Sequence, residues 1–366
     1  MNNILACGVL VVATSLTVAA PVLAQSNVTV YGTLDAAIDY NTNVDAQKHS
    51  RVWMPNLGGG MMPSRLGFRG TEDLGAGLKA IFTVETGIAI DSGTSGQGNR
   101  LFGRQAWVGV RGDWGQVTFG RNYNMLFHSM GEVEIVGPTQ YGLGSLDAAI
   151  PNSRTDNSVA YKGTFDKVTV GTSYSLGRDV SNAGGPGGTN CPGESAADAQ
   201  ACREWSVLLR YDTPGWGVTS AYDRKNGATG AAAGLTSSNL RDNRLHVAGY
   251  VKQGAWRLAT GVVRRNNEGS MATPHSHLSY LNGAFKFAPN ITVDGIVARL
   301  DYKRSANDST LAMVRAIYDL SARTSTYVAL GHMRNGGGAS VALSAGGIVG
   351  PGLSQNGVIT GIKHAF

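Results

Sequence analysis

Charge is scarce in this chain. Lys, Arg, Asp and Glu make up 15% of its 366 residues, against about 25% in an average soluble domain. A larger core has not taken their place, since the hydrophobic fraction is 42%, slightly under the usual share of about 45–50%. Glycine has: there are 51, about twice the ordinary share of roughly 7%. With only 11 prolines, such a composition fits either a repetitive low-complexity chain or a long run of strands and turns. Long apolar runs are also missing. After residue 24 no stretch reaches the roughly 18 consecutive apolar residues of a spanning helix, which excludes a helical membrane span there.

The start is different. From Ile4 to Ala24 the chain is uncharged and mostly apolar, ending in Val22-Leu23-Ala24 before Gln25. This reads as a secretory signal over residues 1–24, leaving 25–366 as the mature unit, although the usual Lys or Arg at the very start is absent. Leu5-Ala6-Cys7 faintly resembles a lipid-attachment box, but it precedes the apolar stretch instead of following it. All charges lie after Gln25, so the exported chain keeps the net +6. Cysteine is rare. Cys7 leaves with the signal, and Cys191 and Cys202 remain within one Gly/Pro/Ala-rich loop. In an oxidising compartment a local disulfide is the favoured reading, and no nearby Cys or His supports a metal site.

What is present is alternation with period two. Val28, Val30, Leu34, Ala36, Ile38 and Tyr40 fall on one face, with Thr29, Thr33, Asp35 and Asp39 on the other. Leu78, Ala80, Phe82 and Val84 alternate with Lys79, Thr83 and Glu85. Trp205, Val207, Leu209 and Tyr211 alternate with Ser206 and Arg210. Between 291 and 303 the phase slips near Gly295, which suggests a β-bulge there.

Short connections, at 72–77, 112–115, 163–167, 212–217, 251–255, 288–290 and 321–324, alternate with long ones. The long ones span 41–63, 87–103, 122–156, 177–204, 224–242, 265–276, 304–309 and 335–355. Together they delimit roughly sixteen strands, an even number that places both termini on one side. Short turns on one rim and long loops on the other are expected of a closed transmembrane antiparallel β-barrel. In lipid every amide must be paired, so no sheet edge can stay open. The last segment fits: Val358, Ile362 and Phe366 share a face, and the chain ends on an aromatic residue.

Five stretches, in order and spacing, carry a family resemblance. They are residues 29–35 (TVYGTLD), 64–75 (SRLGFRGTEDLG), 115–121 (GQVTFGR), 320–324 (LSART) and 361–366 (GIKHAF). The chain resembles the general, trimeric porins of Gram-negative bacteria, in particular the β-proteobacterial type. The resemblance implies a homotrimer of sixteen-stranded barrels in the outer membrane, in contact with its lipid and lipopolysaccharide. Each barrel would pass ions and small hydrophilic solutes. It implies no cofactor and no nucleic-acid partner. It also implies a third loop folded into the lumen, here 122–156, although the acidic tripeptide of enteric relatives is absent.

Selection in such a pore is electrostatic, because low-dielectric walls focus the field of a few fixed charges. Arg65, Gly67 and Arg69 share one strand face, and Leu66 and Phe68 the other. An arginine facing lipid near the midplane costs about 2 to 4 kcal/mol, so the arginine face belongs to the lumen. By the resemblance, Arg65, Arg104 and Arg154 sit where anion-selective members carry their constriction arginines, facing Glu132, Glu134 and Asp147 on the inward loop. The plainer alternative is that these arginines line a wide lumen or pair with nearby acids, and that the acids are solvated. Trp107, Trp114, Trp216 and Trp256 fit an interfacial aromatic belt.

An enzyme is disfavoured. The seven histidines show no metal spacing beyond His275-x-His277, and no nucleophile motif accompanies the loop serines. A soluble carbohydrate-binding or adhesive β-protein would lack the strand count. The reading is a diffusion channel with a weak to moderate anion preference. The alternative is a channel selective for a sugar, nucleoside or organic anion, which an aromatic slide in the lumen would favour.

Overall fold

A computed structural model describes residues 27–55, 59–177, 191 and 193–366. The expected signal, 1–24, lies outside them. Sixteen long strands form one antiparallel sheet closed on itself, and two short pairings, Arg51–Trp53 and Thr94–Ser95, lie within loops. In chain order the strands begin with β1 (Asn27–Asn41), β2 (Arg65–Gly75), β3 (Leu78–Ala89), β4 (Gln105–Gly112) and β5 (Gly115–Tyr123). They continue with β6 (Arg154–Phe165), β7 (Val168–Ser175), β8 (Glu204–Asp212), β9 (Trp216–Asn226), β10 (Arg241–Gln253) and β11 (Trp256–Asn267). The last five are β12 (His275–Ala288), β13 (Ile291–Tyr302), β14 (Ser309–Asp319), β15 (Thr324–Asn335) and β16 (Gln355–Ala365). Each expected connection falls within about three residues of a break between consecutive strands, the fourth long one being described only at 177, 191 and from 193 on.

Closure falls on β1, which divides its length between two partners. Asn27–Thr33 pairs with β2, and Thr33–Asn41 with β16. Gly32 and Phe366 exchange both backbone hydrogen bonds, at 3.0 and 3.1 Å, so no edge is left unpaired at the seam. The alternation becomes an outside and an inside: Val28, Val30, Ile38 and Tyr40 are exposed outward, while Asp35 and Asp39 are buried.

The lumen is not polar all round. The third long loop, 124–153, enters it with two short helices, α1 (Met125–Met130) and α2 (Leu143–Leu146). Leu126, Met130, Val133, Val136 and Leu143 pack on inward residues of the β10–β16 wall such as Val263, Leu278, Ile296, Leu311 and Met333. This buried apolar layer holds the loop against one side of the barrel. Two expectations are corrected. The phase slip in β13 reflects an inner face carrying Ile296, Ala298 and Leu300 under the loop; the register shift itself lies in β12, between Lys286 and Ala288. Trp107 pairs with Thr83, whose neighbour Glu85 points into the lumen, so it lies on the inner face. Trp114, Trp216 and Trp256 are exposed beside short turns, as an aromatic belt requires.

Polar contacts fasten the loop as well. Met125 N–H donates to Ser206 Oγ at 2.8 Å, and Ser129 Oγ lies 2.7 Å from His246 Nδ1. Asn282 accepts from Ile135 N–H at 2.6 Å and donates to the Val133 carbonyl at 2.9 Å. Arg315 Nη2, held by Asp294, donates to the Val136 carbonyl at 2.8 Å. The first and last long loops join the third. Asp35 accepts from the Gly60, Met61 and Met62 amides and the Tyr327 hydroxyl. Asp39 accepts from Tyr141 and Ser344. Thr139 donates to the Gly60 carbonyl, and Ala345 exchanges hydrogen bonds with Gln140.

Candidate functional site

Between the inward loop and the opposite wall lies a cavity of about 600 Å³. Its wall side is built from strand ends that the register brings to one height. Arg65 opens β2, Glu85 lies near the end of β3, Arg104 precedes β4, Tyr123 closes β5 and Arg154 opens β6. Arg65 pairs across to Gly87 and Glu85 to Gln105, which stacks these side chains along the inner face.

Glu85 is the centre of the group. Its carboxylate accepts from Arg104 Nε at 2.6 Å, lies 3.6 Å from Arg65 Nε and accepts from the Tyr31 hydroxyl at 3.0 Å. Tyr123 is the second hub, accepting at its hydroxyl from Arg104 Nη2 and Arg154 Nη2. The Arg154 guanidinium also lies 4.8 Å from the Tyr123 ring centroid, a cation–π arrangement. Phe127 of α1 stacks on the same ring at 3.7 Å. Glu85 pairs with Arg65 and Arg104, and among the described residues Arg154 has no carboxylate partner, so the three arginines stand against one acid. Arg69 lies deeper and exposed, 5.1 Å from the Tyr31 ring.

The three loop acids separate. Glu134 lines the cavity with the arginines, and burial pushes its carboxyl up to about 7. Asp147 also lines it but is held by the far wall, accepting from Arg244 Nε at 2.8 Å and Nη2 at 3.2 Å. Burial alone would raise its carboxyl, yet Arg244 and Arg265 hold it below the usual carboxylate range. Glu132 turns toward the short-turn rim, 2.8 Å from Lys252 Nζ and 3.2 Å from Arg257 Nη2. The Lys252 hydrogen bond is the main reason its carboxyl is lowered. Glu85, Tyr123, Arg244 and Arg265 were not among the expected site residues. Glu85 was visible on the polar face of its strand; the others gave no local signal.

Cys191 and Cys202 are joined by a disulfide in the fourth long loop. Among the described residues no cluster of His, Cys, Asp or Glu could hold a metal ion.

Residues 8–338 match the profile of a family described as Gram-negative porin. The major outer membrane protein P.IB of Neisseria meningitidis serogroup B is 29% identical over 352 residues, covering 92% of this chain and 97% of that protein. Outer membrane porin protein 32 of Delftia acidovorans is 28% identical, covering 94% and 95%. The solved structure titled anion-selective porin from Comamonas acidovorans superimposes with a TM-score of 0.74 at 23% identity, covering 93% of this chain and all of that one. A closed sixteen-stranded barrel, a loop that narrows its lumen and a family match over most of the length lead to one conclusion: the chain belongs to the Gram-negative porin family and forms an outer-membrane channel for passive diffusion of small hydrophilic solutes.

Proposed function

We propose that this porin prefers small anions, and that Arg65, Arg104 and Arg154 set the preference. The observation that carries the reading is the ratio at the narrowing: three arginines stand against one carboxylate, Glu85, which pairs with Arg104 and Arg65, while Arg154 rests on Tyr123. The far side adds Arg244 and Arg265, whose charges are offset by Asp147 and Asp242. Glu134 is the remaining acid of the cavity, and burial favours its neutral form. Net positive charge therefore faces the water path on one side, where the protein wall focuses it. Arg69 continues this charge below the narrowing. Glu132, paired with Lys252 and Arg257, belongs to the lower vestibule. The structural relative described as anion-selective supports the same reading. Its test is the reversal potential in a planar bilayer under a KCl gradient; a cation-selective sign would end it.

The homotrimer and the contacts with outer-membrane lipid and lipopolysaccharide implied by the resemblance belong to the same proposal. An SDS-resistant trimer that collapses to monomer on boiling is expected, and a monomer by light scattering in mild detergent would refute it.

A further inference from the structure

Below α1, toward the short-turn rim, the inner wall carries a second group of cations, apart from the narrowing. The register sets Arg111 of β4 opposite Gln116 of β5, and Gln116 opposite Lys162 of β6. Lys162 lies opposite Gly171 of β7, which faces Leu208 of β8, one inward position before Arg210. Parity puts this row inside, since Ala160 and Leu208 pack on Met125 of the inward loop. Gly171 is the gap in the row, and Met125 Sδ fills the place a side chain would take. That contact seats α1 at this height. The charges that act on the His128 ring of α1 are those of Lys162 and Arg210, and Arg210 and Arg111 act on Lys162.

We propose that His128, Lys162 and Arg210, with Arg111 at the edge, bind a small tetrahedral dianion of the hydrogen phosphate kind, at a station below the narrowing. Charge is the first argument. Arg210 gives its Nε to Asp212 at 2.5 Å, and Asp212 also accepts from the Tyr250 hydroxyl at 2.8 Å. Glu132, the next acid, is held by Lys252 and Arg257. Among the described residues Lys162 has no acid and no hydrogen-bond partner, and Arg111 meets only the neutral Gln116, at 2.8 and 3.2 Å. Three cations against Asp212 leave two positive charges, the complement of a dianion. Donor chemistry is the second. The Lys162 ammonium and the Nη fork of Arg210 remain unused, and charged donors of this kind suit an oxyanion. The neutral His128 ring adds an N–H without adding charge. Access is the third. His128, Lys162 and Arg210 are half-buried and Arg111 is exposed, so the group meets the water of the lumen while the wall focuses its field.

The station is separate from Arg65, Arg104 and Arg154, and the two readings fail separately. Full-length protein conducts in a planar bilayer in KCl at pH 8, where phosphate is mostly the dianion. Potassium phosphate or potassium acetate is then added to both sides at constant ionic strength. Phosphate should lower the chloride current saturably, with a half-effect at least about tenfold below that of acetate. Lys162→Gln with Arg210→Gln should raise the phosphate half-effect at least about tenfold. Lys162→Gln alone, which breaks no ion pair and so spares the fold, should raise it about threefold. Lys162→Arg with Arg210→Lys should keep most of the effect. Arg65→Gln should shift the reversal potential yet leave the half-effect within about twofold, because the two groups lie apart. Equal half-effects in the wild type and both Gln variants would overturn the proposal, and so would acetate acting as strongly as phosphate. Loss of the effect in Arg65→Gln but not in the Gln variants would move the binding to the narrowing and overturn it as well.

Discussion

Arg104 and Arg154 donate to the same oxygen, the Tyr123 hydroxyl, each at 3.0 Å. Two like charges are thus pinned side by side by one neutral acceptor. Tyr123→Phe removes that acceptor while keeping the ring that stacks on Phe127 and faces Arg154. The loss of hydrogen bonds to charged groups should cost about 1.5 to 3 kcal/mol each at most. The sign of the ion selectivity should survive. Thermal unfolding in detergent and the reversal potential check the two halves.

Glu85 offsets the arginines, so its removal and theirs should act oppositely. Glu85→Gln is expected to strengthen the anion preference, and Arg65→Gln to weaken it. A unit charge about 6 Å from an ion's path is worth about 0.7 kcal/mol in water, or about threefold in occupancy. Replacing both Arg65 and Arg104 with Glu should reverse the preference, while Arg334→Gln, exposed near the outer rim, should leave it unchanged. All effects should fade as salt rises, because screening shortens to about 3 Å at 1 M. A parental reversal potential in the double Glu variant would exclude these arginines as the filter.

The pore should respond to pH through Glu134. Burial pushes this carboxyl up to about 7, so it is neutral below that pH and negative above it. Anion preference should therefore fall as pH rises through about 7, and Glu134→Gln should flatten the profile. His128 does not compete, because burial, with Lys162 and Arg210, lowers it to about 3 and keeps it neutral. Reversal potentials from pH 5 to 9 test this.

Asn282 holds two backbone groups of the inward loop, Ile135 N–H and the Val133 carbonyl. Asn282→Ala leaves both unpaired in a buried place, at about 1 to 3 kcal/mol per group. Single-channel records should show more current noise, and thermal unfolding in detergent a lower midpoint.

The Cys191–Cys202 bond closes a loop with a sequence separation of 11, a constraint worth about 2 to 3 kcal/mol of local order. It lies away from the narrowing, so the Cys→Ser pair should conduct normally. Two free thiols in unreduced, alkylated protein by mass spectrometry would refute the bond.

The strand order and every connection could be read from the sequence because period two and turn residues are local signals. The inner face of β10–β15 could not. Ile296, Leu311 and Met333 look lipid-facing until the inward loop is placed over them, and that contact is set by closure. The same limit hid the partners of the loop acids. Nothing near Asp147 points to Arg244, which meets it from β10, the wall the loop packs on, and nothing near Glu132 points to Lys252. Strand parity alone places Arg65 in the lumen. Its acid, Glu85, needed the register of β2 on β3.

The hydrogen bonds that join Gly60, Gln140 and Ala345, and the carboxylates of Asp35 and Asp39 beneath them, make three distant segments behave as one mechanical part. No single loop can swing clear of the aperture without tearing contacts in the other two. Blockade of the current should then be all-or-none instead of graded, with one kinetic step for the whole collar.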